Sequence, residues 1–123
     1  MQLARVYSDG AGESHFDDVV VEMATTPFAP PAPPVDLSAP LEAARCFFLG
    51  LPQGWHGDWH PSPRRQLNIV LMGAVEVQAS DGEVRVFRPG ESFFTEDTTG
   101  RGHVLRNTGS GEVIGAAIQL ADT

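Results

Sequence analysis

Short apolar segments, separated by glycine- and proline-rich turns about every ten residues, constrain the fold more than any other feature of this sequence. The segment AVEVQA at 74–79 alternates apolar and polar residues, and VRVF at 84–87 continues the alternation after the turn SDGE. Few segments show the 3.6-residue period of an amphipathic helix. The pattern predicts an all-β sandwich or barrel. Strands are predicted at 3–7, 14–23, 44–51, 65–73, 74–79, 84–87, 92–96, 103–107 and 113–120, and a helical turn only at 41–45.

A proline-rich stretch interrupts this pattern near the N-terminus. Six of the 10 prolines lie in residues 27–40, where they exclude a helix or a central strand because proline lacks an amide hydrogen and fixes φ. We expect an extended connector that Phe28, Val35 and Leu37 anchor to the domain. With 123 residues the chain is long enough for one domain. We predict an N-terminal hairpin and connector over 1–43, packed on a β-barrel over 44–123.

The charge balance limits the classes of partner. Acidic residues number 16 against 8 basic ones, for a net charge of −8, so phosphate backbones and anionic membrane surfaces are repelled. The only cysteine, Cys46, cannot form an internal disulfide, and its apolar surroundings predict a core position. The N-terminus carries no apolar signal segment and no apolar run is long enough to span a membrane, so we expect a cytoplasmic protein.

Several polar residues are placed where they can meet inside a barrel. Residues two apart on a strand face the same way, so those of even number from 60 to 68 are expected to share one face. His103 begins another strand after a glycine-rich loop. By parity Arg64 would face inward, where it would bind a carboxylate or phosphate, and Arg65 would face outward. The alternative for these arginines is an exposed position at a sheet edge or an ion pair with Glu96 or Asp97. The candidate ligand-binding residues are His60, Ser62, Arg64, Gln66, Asn68 and His103.

The stretch GWHGDWHPSPRRQLNIVLMG at 54–73 resembles the first motif of the cupins, G-x5-H-x-H-x3,4-E-x6-G. The positions at its spacing are Gly54, His60, Ser62, Gln66 and Gly73. The second cupin motif, G-x5-P-x-G-x2-H-x3-N, is similar to the segment from Gly90 to HVLRN, although the loop TEDTTGRG is two residues longer and lacks the proline. The resemblance implies a double-stranded β-helix, or jelly-roll barrel. It also places His60, Ser62, Gln66 and His103 at the positions where typical cupins bind a divalent metal.

Two substitutions weaken that implied metal site. A protonated serine hydroxyl is a poor ligand, and a glutamine carbonyl carries no charge to attract a dication. One hypothesis is therefore a single-domain cupin that binds a small polar or carboxylated molecule in its barrel. The alternative is a metal-dependent dioxygenase or isomerase in which His60, Gln66 and His103 hold Fe, Zn, Mn or Ni. A third possibility is a structural or sensory dimer without a ligand.

The strand faces opposite the candidate pocket predict self-association. Leu67, Ile69 and Leu71 form an apolar stripe, and the last strand is apolar on both faces. Either the N-terminal segment or a second subunit must cover this surface. Cupins commonly pair as twofold dimers, so the resemblance implies a homodimer.

Overall fold

A computed structural model describes residues 1–121, and these residues form eleven β-strands, as the all-β prediction required. No helix in this part of the chain is long and apolar enough to cross a bilayer. The strands are β1 Gln2–Ser8, β2 Ser14–Val20, β3 Met23–Thr26, β4 Val35–Ser38, β5 Ala43–Leu51, β6 Gln66–Met72, β7 Val75–Ala79, β8 Val84–Phe87, β9 Ser92–Thr95, β10 His103–Arg106 and β11 Val113–Leu120.

Two sheets form the body of the molecule. The larger has the strand order β2-β1-β9-β6-β11-β5, and the smaller has the order β10-β7-β8. Pairing is antiparallel except between β1 and β9, which run parallel. Because β1 pairs directly with β9, the N-terminal hairpin extends the larger sheet. The helical turn predicted at 41–45 is wrong, since β5 begins at Ala43, where it pairs with Leu120.

A hydrophobic core fills the space between the sheets. Alternate residues of each strand point inward, as the sequence pattern predicted for AVEVQA, in which Val75, Val77 and Ala79 are buried. The N-terminal hairpin contributes Val6 and Phe16 to the same core cluster. Residues 1–20 therefore share one core with the strands that follow residue 43.

The proline-rich stretch lies in a separate hairpin. Strands β3 and β4 pair only with each other among the described residues, and the prolines occupy mainly the loop between them. Phe28 is 70% exposed and Val35 is 45% exposed, so the prediction that they anchor this stretch to the domain is wrong for the single chain. The physical reason is that a two-stranded hairpin without sheet partners cannot carry these side chains into the core.

Cys46 also departs from its predicted position. It is exposed, not buried in the core. Its strand, β5, is the last in the larger sheet, and Cys46 alternates with the inward-facing Phe47. The apolar run that predicted burial consists of residues on both faces of an edge strand.

Candidate functional site

A cavity of about 240 Å³ opens between the two sheets. Its apolar wall includes Phe47, Leu49, Leu51, Val70, Val75, Phe93, Leu105 and Val113. Its polar side chains are His60, Ser62, Gln66, Asn68, Thr95, His103 and Gln119. None of the described residues that line it is an aspartate, glutamate, lysine or arginine. The arrangement suits a small molecule that is mainly apolar and polar at one end.

Two histidines far apart in sequence meet at the polar end of this cavity. The backbones of His60 and His103 form an isolated antiparallel bridge, in which each amide donates to the other's carbonyl at 3.2 and 3.0 Å. Their ring centroids lie 4.9 Å apart. Gly102 permits this approach because its φ is +76° and because a Cβ there would collide with the His60 carbonyl group. The expected convergence of the two imidazoles is therefore present.

A buried carboxylate holds the ring of His103. Nδ1 of His103 lies 2.6 Å from Oδ2 of Asp97, and both side chains are almost completely buried. The other oxygen of Asp97, Oδ1, has no hydrogen-bond partner among the described residues. Since a carboxylate only accepts hydrogen bonds, Nδ1 carries the proton in the neutral ring. Nε2 of His103 is then a hydrogen-bond acceptor.

The same reasoning applies to His60. Its Nδ1 lies 2.9 Å from the backbone carbonyl oxygen of Asp58, which also can only accept. The neutral His60 ring therefore also presents Nε2 as an acceptor. His60 is exposed, unlike the buried His103, so the pair has one solvent-facing and one enclosed imidazole.

Neutral side chains extend the polar wall beyond the histidines. Gln119 Nε2 donates to Gln66 Oε1 at 3.2 Å, and Gln66 Nε2 donates to Asn68 Oδ1 at 2.6 Å. Asn68 Nδ2 in turn donates to Thr95 Oγ1 at 3.1 Å. The Ser62 hydroxyl donates to the backbone carbonyl of Arg64 at 2.6 Å. These groups are largely satisfied within the protein, which fixes their orientation.

Arg64 differs from the parity prediction, whereas Arg65 is exposed as parity predicted. Arg64 is half-buried but is not among the described residues that line the cavity. Parity fails here because β6 begins only at Gln66, and the prolines at 61 and 63 keep the preceding segment out of the strand. Arg65 donates to Glu96 at 2.7 and 3.1 Å, which is the ion pair that the sequence left as the alternative.

Asp97, Thr95 and Gln119 belong to the site but were not predicted as site residues. Thr95 and Gln119 pair with Gln66 on the two neighbouring strands, so all three side chains point into the cavity. The alternation of inward and outward residues in SFFTE and in the last strand could have indicated both. Asp97 lies in the loop before His103. Nothing in the sequence indicated that its carboxylate reaches an imidazole six residues away.

The four positions that the cupin resemblance assigns to a metal do not fit one well. Only His60 and His103 offer strong neutral ligands, through Nε2. Both ends of the Gln66 amide are engaged by other amides, and the Ser62 hydroxyl donates to a carbonyl. Within residues 1–121 no three or more His, Cys, Asp or Glu side chains cluster where they could hold a metal ion. The donor set therefore lacks the carboxylate and third nitrogen that would attract a dication.

Two facing, mainly antiparallel sheets around an interior cavity are typical of the double-stranded β-helix. The cupin-domain family profile matches residues 47–117, and the chain belongs to the cupin family. The comparison with curated proteins returned no match.

Solved structures share this fold. A cupin domain from Bordetella pertussis is 16% identical, with a TM-score of 0.51 over 63% of this chain and 80% of that one. A protein from Neisseria meningitidis is 18% identical, with a TM-score of 0.52 over 67% of this chain and 84% of that one. The cupin domain of Cnp3 from Schizosaccharomyces pombe is 14% identical, with a TM-score of 0.51 over 99% of this chain and 83% of that one. At these identities the likeness concerns the fold alone.

Proposed function

We propose that this cupin binds a small, uncharged, mainly apolar molecule whose polar end carries hydrogen-bond donors. The observation that carries the proposal is the pair of Nε2 atoms, each made an acceptor by a protein group on Nδ1 of the same ring. A ligand O–H or N–H would replace water at these atoms. The apolar wall would provide the main part of the binding free energy.

The sequence led us to expect either a polar or a carboxylated ligand, and the side chains of the cavity wall argue against the carboxylated one. The described lining residues include no lysine or arginine, and Arg64 lies outside the lining. A carboxylate would lose its hydration without gaining a permanent cation, which costs free energy. A cavity of 240 Å³ is below the range of about 300–1,000 Å³ that is usual for drug-sized ligands, which favours a smaller molecule.

A set of three benzene derivatives tests the donor requirement. Phenol donates a hydrogen bond, anisole only accepts one, and benzoate is an anion of similar size. We expect millimolar phenol to raise the melting temperature of the protein more than anisole or benzoate does. Equal shifts, or no shift with any of the three, would contradict the proposal.

The variant Asp97→Asn makes the test specific for the ring tautomer. The asparagine amide can donate to Nδ1 of His103, which moves the ring proton to Nε2 and converts that atom to a donor. The preference should then change from phenol towards anisole. Asp36→Asn is a matched control, because Asp36 accepts a hydrogen bond on the exposed β3–β4 hairpin and should leave the preference for phenol intact. An unchanged preference in Asp97→Asn would refute the assigned role of the histidines.

The buried His103–Asp97 pair also favours a second candidate, an enzyme that transfers protons. A histidine oriented by a carboxylate is a common general base. In this case Nε2 would remove a proton from an acidic C–H of a bound ketone, and a deuteron would return from D₂O. NMR should show faster deuterium incorporation into cyclohexanone with the protein than with the His103→Gln variant. Equal rates of deuterium incorporation with the protein and the variant would contradict proton transfer by His103 and leave ligand binding as the proposed function.

A further inference from the structure

The loop that joins Asp97 to His103 is fixed at both ends, and residues 97–103 are hereafter called the site loop. At its start the Ser62 amide donates to the Asp97 carbonyl at 2.9 Å. At its end the backbone bridge between His60 and His103 holds the chain. The side-chain contact of 2.6 Å between Asp97 and His103 then joins the two ends. The middle of the loop is therefore the part whose position other elements can set.

The middle of the site loop lies on the turn between β1 and β2. We call residues 8–14 the N-terminal turn. The Ser8 hydroxyl donates to the Thr99 carbonyl at 2.7 Å. The Arg101 amide donates to the Gly12 carbonyl at 2.9 Å. Both bonds involve the main chain of the loop, so they fix the course of the loop rather than the position of one side chain.

Two glycines allow the site loop to fit between the N-terminal turn and His60. A Cβ on Gly100 would collide with the backbone of Gly12, just as one on Gly102 would collide with the His60 carbonyl group. Both loop glycines also have a positive φ, of +79° and +76°, which other residues rarely adopt. The completely buried Ser14 hydroxyl donates to the Gly102 carbonyl at 2.7 Å. The loop is therefore held from both sides immediately before the buried imidazole.

The contact between Asp97 and His103 depends on the course of this loop. Its length is 2.6 Å, and a hydrogen bond is lost beyond about 3.5 Å, so a displacement of about 1 Å would break it. We propose that the N-terminal turn positions the candidate site. By fixing the middle of the site loop, the turn keeps the Asp97 carboxylate on Nδ1 of His103 and leaves Nε2 as an acceptor. The consequence for ligand preference rests on the proposed function, whereas the effect on the ring does not.

A matched pair of glycine variants tests this proposal without a ligand. Gly100→Ala adds a methyl group that collides with the N-terminal turn. Gly90→Ala is the control, because Gly90 in the β8–β9 turn has a similar φ of +88° and open space around its Cβ position. Long-range ¹H–¹⁵N NMR spectra, recorded at a pH where the ring is neutral, show which nitrogen of His103 carries the proton. In Gly100→Ala only, we expect the Nδ1 and Nε2 signals to move towards each other, as in a mixture of tautomers. Unchanged signals in folded Gly100→Ala, or the same change in Gly90→Ala, would overturn the proposal.

A milder variant replaces Gly100→Ala if circular dichroism shows that it does not fold. Ser8→Ala removes the hydrogen bond to the Thr99 carbonyl and adds no atoms. The His103 signals should move in the direction expected for Gly100→Ala, by a smaller amount. Ser38→Ala is its control, because that hydroxyl donates only to the next backbone carbonyl at the end of β4 among the described residues. When Gly100→Ala is unfolded, His103 signals that do not move in Ser8→Ala would overturn the proposal.

Titration with phenol then tests the consequence for binding. The affinity of Gly100→Ala for phenol should be about 2- to 30-fold below that of the wild type, the range for substitutions that act on a site through intervening groups. Gly90→Ala should bind phenol as the wild type does. Equal affinity in the wild type and Gly100→Ala would overturn the positioning role. If phenol does not bind the wild type while the His103 signals move as expected, the proposed function fails and the positioning role stands.

Discussion

The two edge strands of the larger sheet, β2 and β5, are protected from their surroundings in different ways. The start of β2 is joined to the end of the smaller sheet, because the Ser14 amide donates to Ser80 Oγ at 2.7 Å and the Asp81 amide donates to the Ser14 carbonyl at 3.3 Å. Further along β2, Arg85 donates to Asp18 at 2.9 Å. Strand β5 has no strand neighbour beyond β11 among the described residues, and its outward side chains are apolar.

The comparison concerns how an edge strand is kept from pairing with other chains. An edge strand offers unpaired amides and carbonyls to other chains, and charged side chains or a covering element prevent uncontrolled pairing. Strand β2 has both forms of protection. Strand β5 carries a single charged residue, Arg45, and no covering element lies over it among the described residues.

The largest effect on the free energy of unfolding is expected where a buried phenylalanine on one edge strand is compared with an exposed phenylalanine on the other. Phe16 on β2 is 8% exposed and packs beneath the guanidinium of Arg85, whereas Phe48 on β5 is 75% exposed. Phe16→Ala should lower the free energy of unfolding by about 3–5 kcal/mol because it leaves a cavity in the core. Phe48→Ala should change it by less than about 0.5 kcal/mol, because the side chain is exposed. Urea titrations of the two single variants measure this difference, and similar losses would show that the two phenylalanines are equally buried.

A smaller effect is expected at the junction between β2 and the smaller sheet. Ser14 is completely buried, and its hydroxyl donates to the Gly102 carbonyl and accepts from the Ser80 amide, both at 2.7 Å. Ser14→Ala leaves those two backbone groups without this partner and should cost about 1–3 kcal/mol of unfolding free energy. Ser110→Ala in an exposed loop is the control. Equal midpoints in urea would mean that the junction does not stabilise this edge.

The smallest effect is a pH dependence on the outer face of β2. The hydrogen bond to the Asp9 carboxylate, assisted by that to Asp81, raises the pKa of His15 above its usual value, and the same contact with His15 lowers the pKa of Asp9. A raised folded-state pKa stabilises the protein fully below the unfolded value of about 6.5, and this contribution disappears as pH rises through the folded pKa. The urea midpoint should therefore fall slightly from pH 6 to pH 9. His15→Gln should remove that part of the slope, and an unchanged slope would assign it to other groups.

Strand pattern and motif spacing were sufficient for most of the architecture. Alternation in AVEVQA placed Val75 and Val77 in the core, and the spacing of His60 and His103 placed both at the cavity. Period-two patterning works here because one face of each strand is buried. The pattern failed for Arg64, because parity cannot be extended through a proline-interrupted segment that is not a strand.

The amino-acid sequence by itself determined the all-β fold, the cupin motifs and the polar strand face that carries Gln66 and Asn68, because these depend on local alternation and turn chemistry. Only the tertiary structure decided that Asp97 orients His103, that Cys46 lies at the surface and that the β3–β4 hairpin forms a sheet of its own. Those features depend on which distant segments become neighbours. An aspartate in a loop and a cysteine in an apolar run have the same local sequence whether they are buried or exposed.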